Sequence, residues 1–288
     1  MRARTTLIIP LAALAAALVA CGDSGPSKAT FTTKADASCA VGNAAISAAT
    51  KPTNAPQVAT AAGATVSAVD GQVAMLRAMK MPGGKDKAQI EAIIAAIGEV
   101  SAPTKSLQDA AAKTDDAGMG RAAVDMQAKA DAAATAAQAY GLTQCGTGLK
   151  PAVAGLFDGT KSVVKATYVT KAEAACRDMN RKAAALTQPG TSLSSLSRFV
   201  DAYLPIVTKF VADFKAIPVP PGDEATIGEI VKAIEAGLPK MKEVGAAAKA
   251  NNAKLVGALF EELDVNDTAI NAKLDAYGLK VCGTNGGF

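Results

Sequence analysis

The sequence predicts an all-α protein of two tandem, up-down four-helix-bundle-like units, each closed by one disulfide. Three observations predict it. Half of the 288 residues are hydrophobic, yet Trp is absent and aromatics make up only 4%, a mixture that suits closely packed helices better than a β-sandwich. Apolar residues recur at three-to-four spacing, as in Leu196, Phe199, Val200, Tyr203, Val207, Phe210, Val211 and Phe214, the mark of a helix with one buried stripe. The third observation is an internal repeat. "FTTKADASC" (Phe31 to Cys39) matches "YVTKAEAAC" (Tyr168 to Cys176), and "AYGLTQCGT" (Ala139 to Thr147) matches "AYGLKVCGT" (Ala276 to Thr284), both at an offset of 137 residues.

The first twenty residues read as a signal peptide. Arg2 and Arg4 form a basic n-region, and "TLIIPLAALAAALVA" is a short apolar h-region. It ends in "LVAC", which resembles a bacterial lipobox. That resemblance implies lipidation of Cys21, cleavage just before it, and a lipid-anchored location on the extracytoplasmic face of the cell membrane. Residues 21–30 form a polar, lipidated tether. Unit 1 spans 31–148, a connector 149–167, and unit 2 168–288.

In unit 2, "TKAE" at Thr170–Glu173 reads as a capping box opening helix one, with "TKAD" at Thr33 as its counterpart. Helix two runs from about Ser192 to Ala216, with Pro205 as an expected kink. Asp223 is expected to cap helix three, which Pro239 bends or interrupts. Asn251-Asn252 is the next turn, and helix four ends at Tyr277 with Gly278 in the left-handed position. In unit 1 the corresponding helices are expected at about 34–50, 56–80, 86–113 and 117–140. Its core reads as the poorer of the two, rich in Ala and filled by Met75, Met79, Met81, Met119 and Met126.

Helix one begins at the end of an up-down bundle where helix four finishes, so Cys39 neighbours Cys145 and Cys176 neighbours Cys282. The spacing is 106 residues in both units, which favours pairing within each unit, and export permits the oxidation. Cys21 then accounts for the odd fifth cysteine.

The chemistry the sequence lacks is as informative. With no histidine there is no Ser-His-Asp or Cys-His nucleophile and no imidazole metal ligand. The cysteines lack zinc-site clustering, and no glycine-rich phosphate loop is present. The expectation is no enzyme, no catalytic residue, no metal and no cofactor. Once Arg2 and Arg4 leave with the signal, 28 basic residues face 26 acidic ones, evenly spread over the units, which leaves no footprint for nucleic acid. Asn266-Asp267-Thr268 inside helix four is expected to face water.

"TKAEAAC", "PVPPGDEA" and "AYGLKVCG" together resemble a group of exported, predominantly helical proteins and lipoproteins of actinobacteria. The resemblance implies an envelope location and a helical fold, and transfers no functional residue. The expected function is that of a non-enzymatic envelope lipoprotein, held to the membrane by its N-terminal lipid, that binds a protein or polymer partner through its helix faces. The alternative is a carrier of a small apolar ligand or lipid held between helices, motivated by the internal prolines and by the methionines from Met75 to Met81.

Overall fold

The computed structural model describes residues 25–48 and 51–284. The expected signal peptide and the expected lipidation site, Cys21, lie outside the described residues. Among those residues there are nine α-helices and one π-helical turn. The helices are α1 (Lys28–Ser47), α2 (Ala55–Ala78), α3 (Lys85–Gly98), α4 (Ser101–Ala112), α5 (Asp116–Tyr140), α6 (Leu149–Ala184), α7 (Leu193–Lys215), α8 (Glu224–Lys249) and α9 (Ala253–Tyr277), with the π turn at Gln144–Gly148. No helix among the described residues is long and apolar enough to cross a membrane.

Neither capping box forms. Ser27, behind Gly25-Pro26, caps α1 by accepting from the Thr30 amide at 3.2 Å, so the helix starts before Thr33, whose hydroxyl donates back to the Ala29 carbonyl. Thr170 is likewise mid-helix and donates to the Ala166 carbonyl. The reason lies in the expected connector. After Pro151, which sits in the first turn where no amide hydrogen is needed, residues 152–167 contain no helix breaker beyond isolated glycines. Leu149, Val153, Leu156, Val163 and Val164 form a buried stripe. The connector is therefore the first half of α6, a single helix of 36 residues.

That helix serves both units. Its first half joins the core of unit 1 through Leu149, Val153, Leu156 and Val164. Its second half supplies Tyr168, Cys176 and Met179 to the core of unit 2. Unit 1 is thus a four-element bundle reinforced by an extra half-helix, which offsets its alanine-rich interior. Met119 and Met126 are fully buried in it.

Helix three of unit 1, expected at about 86–113, is interrupted just ahead of Pro103, which stands at nearly the place of Pro239 in unit 2. Pro103 lacks the amide that would bond the Glu99 carbonyl and crowds it, so α3 ends at Gly98 and α4 restarts at Ser101 with Pro103 in its first turn. The equivalent helix of unit 2, α8, continues through Pro239, as α7 does through Pro205. Asp223 makes no side-chain cap. Its carboxylate instead accepts from the Tyr277 hydroxyl at 2.6 Å, tying the end of α9 to the start of α8. Tyr277 also packs edge-on against Tyr168, and Tyr168 against Phe214, with ring centres 5.9 and 6.1 Å apart. Burial, then this bond to Asp223, pushes the Tyr277 phenol above its usual range.

The units meet end to end beside α6. The loop before α8 lies on α5: a Cβ on Gly120 would fall 2.5 Å from the Pro221 ring, a distance that real side chains do not tolerate. Lys171 pairs with Asp116 across the junction at 2.8 Å.

Candidate functional site

Two kinds of site emerge, the disulfide-closed ends of the units and a cleft inside unit 2. The disulfides join Cys39 to Cys145 and Cys176 to Cys282, with Cα atoms 5.0 and 5.2 Å apart, inside the range a bridge needs.

The repeated phrase around the second cysteine of each pair has a physical reading residue by residue. Tyr140 and Tyr277 are buried. Gly141 and Gly278 take left-handed φ values of 100° and 105°, which only glycine adopts without cost. The following Leu142 and Leu279 are buried, and their amides bond back to the Ala137 and Leu274 carbonyls at 2.9 Å. This is a Schellman ending with its hydrophobic contact. The glycine after each cysteine is equally constrained. A Cβ on Gly146 would lie 2.6 Å from the Gln138 side chain, and one on Gly283 would lie 2.3 Å from Asp275.

The acids of the two failed capping boxes belong to these ends. Asp36 accepts from the Thr143, Gln144 and Cys145 amides at 2.9, 2.7 and 3.2 Å, and from the Thr143 hydroxyl at 2.8 Å. Its counterpart Glu173 accepts from the Val281 amide at 3.1 Å. The motif "TKA[D/E]" therefore caps a segment more than a hundred residues away and not its own helix.

The cleft lies between α7, α8 and α9. The buried core of unit 2 is split into two clusters. One is at the disulfide end, around Phe210, Phe214, Ile230 and Leu274; the other is at the far end, around Val200, Val244, Val256 and Leu259. Between them an apolar crevice opens, lined by Val207, Ile234, Leu238, Met241, Leu263 and Ile270 together with Tyr203, Asn266 and Asp267. Its empty volume is ≈ 470 Å³ including the open mouth. Pro205 and Pro239 stand beside this level in α7 and α8. Gly237 lines one wall, where a Cβ would meet only the Asn266 amide nitrogen at 3.7 Å.

The polar residues here correct the expectation that Asn266 and Asp267 face water. Asn266 Nδ2 is buried without a hydrogen-bond partner. Asp267 is half-buried; desolvation pushes its carboxyl above the ordinary carboxylate range, and the neighbouring Asp264 adds to the rise. Burial, and then the charge of Asp267, pushes the Tyr203 phenol up as well. The signal was in the sequence: 266 and 267 fall three and four residues after Leu263 and just before Ile270, on the core-facing stripe of α9. The methionines from Met75 to Met81 do not line this cleft. Met75 is exposed, and its sulfur accepts from the Ser38 hydroxyl at 3.6 Å.

Compared with family models, curated proteins and solved structures, the chain matches none of them.

Proposed function

We propose that this chain is a lipid-anchored, non-enzymatic binding protein of the cell envelope, and that it holds a small, largely apolar molecule in the cleft of unit 2. The observation that carries the reading is the interruption of the unit 2 core by a crevice that gathers one unpartnered buried amide, one desolvated carboxyl and a tyrosine on apolar walls. Ligand pockets have this make-up, mostly apolar with a few convergent polar groups. Unpaired buried polar groups cost about 1–3 kcal/mol each unless something meets them. Unit 1 lacks this polar group: at the positions aligned with Tyr203, Asn266 and Asp267 it has Val66, Lys129 and Ala130. The anchor at Cys21 rests on the lipobox-like "LVAC" and on the resemblance to actinobacterial exported lipoproteins.

Native mass spectrometry of the chain purified from its own envelope tests the reading. A co-purifying small molecule that is absent from a Gly237→Leu variant supports it. An apo mass, with a protein recovered by crosslinking to the helix faces, replaces it with the partner-binding alternative. Replacing Cys21 with Ser and finding the chain still in the membrane fraction removes the anchor.

A further inference from the structure

We infer that the cleft of unit 2 selects a monocationic ligand, an ammonium group on an apolar body, with the cation seated between Asp267 and the Tyr203 ring. The inference rests on the cleft being the binding site and goes on to name the class of ligand.

Charge inventory points this way. No lysine or arginine lines the crevice; its titratable residues are Tyr203 and Asp267. Among the described residues no basic side chain pairs with Asp267 or with its neighbour Asp264, while basic residues elsewhere on the same helices do find acids, as Lys240 does with Glu262 and Lys273 with Glu229. A desolvated acid beside a second acid is the one uncompensated charge of the crevice, and its raised proton affinity is the expected consequence. An incoming ammonium supplies the missing counter-charge. A carboxylate or phosphate ligand meets repulsion from Asp267 with no base to relieve it, which argues against anionic lipid headgroups. Tyr203 lines the crevice with its ring stacked on Phe199, the ring centres 5.6 Å apart; an aromatic ring there is a group of the kind that recognises ammonium ions, and Asn266 beside Asp267 offers its amide to a polar substituent on the same head. The remaining walls, Val207, Ile234, Leu238, Leu263 and Ile270, accept a hydrocarbon body and make a small hydrated cation a poor fit.

The experiment titrates the full chain by calorimetry with three probes of equal length: octylamine, which is cationic at neutral pH, 1-octanol and octanoate. Octylammonium is expected to bind about tenfold or more tightly than octanol, and octanoate to bind most weakly. Asp267→Asn should bring octylammonium and octanol within about twofold of each other, and Gly237→Leu should abolish binding of both while circular dichroism shows the helical fold intact. If octanol binds as tightly as octylammonium, or Asp267→Asn leaves the preference unchanged, the charge selection is wrong and the cleft still stands as a site. If none of the three binds, the inference falls together with the reading it rests on.

Discussion

Asp36 reaches the Gln144 amide at 2.7 Å, and 137 residues later Glu173 reaches the Val281 amide at 3.1 Å. The two units thus close with the same bond from different acids. The shorter aspartate collects four donors from Thr143, Gln144 and Cys145, whereas the glutamate holds one amide and also approaches Arg177 at 3.6 Å. Asp36→Ala is therefore expected to destabilise by about 1–3 kcal/mol, and Glu173→Ala by about 1 kcal/mol. Urea titration of the two variants checks the order. Equal losses would show that the number of amides held does not matter.

The disulfides close loops of 106 residues in each unit, for which the chain-entropy model gives about 4–5 kcal/mol of stabilisation. Replacing both cysteines of one pair with serine should lower the unfolding free energy of that unit by about 4–5 kcal/mol, read from urea titration. A non-reducing peptide map of the native chain should show only Cys39–Cys145 and Cys176–Cys282 peptides.

Much of this was legible in the sequence because it depends on local backbone chemistry. Gly141 and Gly278 end their helices because left-handed φ admits glycine, and the cysteine pairing follows from repeat spacing and bundle topology. What escaped was whatever depends on partners distant in the chain. "TKAE" satisfies every local requirement of a capping box, yet Leu149 to Val164 already supplies a helix, so Glu173 is free to serve Val281. Asp223 looks like a helix cap but bonds Tyr277, 54 residues on. The core-facing position of Asn266 and Asp267 was readable from the spacing of Leu263 and Ile270. The internal prolines pointed to a pocket between helices, but its lining was not readable, because it depends on how α7, α8 and α9 pack together.

Because α6 belongs to both cores, dividing the chain at the repeat boundary should fail for unit 1. A chain ending at Gly148 loses the burial of Leu149, Val153, Leu156 and Val164, each contributing about 1.5–3 kcal/mol. A chain ending at Lys165 keeps it. The first is expected to unfold at distinctly lower urea than the second, both with the Cys39–Cys145 bridge intact. Indistinguishable midpoints would mean that the first half of α6 is not needed by unit 1.

The raised proton affinity of Asp267 has a direct stability consequence. The folded state holds this proton more tightly than the unfolded state does, so stability declines as pH rises from the ordinary aspartate range through the higher folded value, and the penalty is complete above it. Asp267→Asn removes a group that is costly only when ionised. The variant should gain on the parent as pH rises across that window and differ least below it. Thermal melts from acid to neutral pH test the trend; an Asn variant that loses ground on raising the pH would contradict it.

Gly237→Leu adds a helix-favouring residue to α8 and places an apolar side chain in the cleft, its Cβ in ordinary contact with Asn266 Nδ2 at 3.7 Å. A gain in melting temperature of a few degrees is expected, the opposite of what a packed glycine would give, and scanning calorimetry measures it.

Helix α6 leaves the closed end of unit 1, where the chain also enters α1, and 27 residues separate Leu149 from Cys176 at the closed end of unit 2. At 1.5 Å per residue the helix rises about 40 Å over that interval. Only Gly22, Asp23 and Ser24 separate Cys21 from the first described residue, a leash of at most about 14 Å. If Cys21 carries the proposed lipid, α6 would act as a mast, with unit 1 nearest the bilayer and the cleft of unit 2 farther along the helix. A ligand would then be met in the aqueous or wall-facing space of the envelope, beyond the reach of molecules still seated in the membrane.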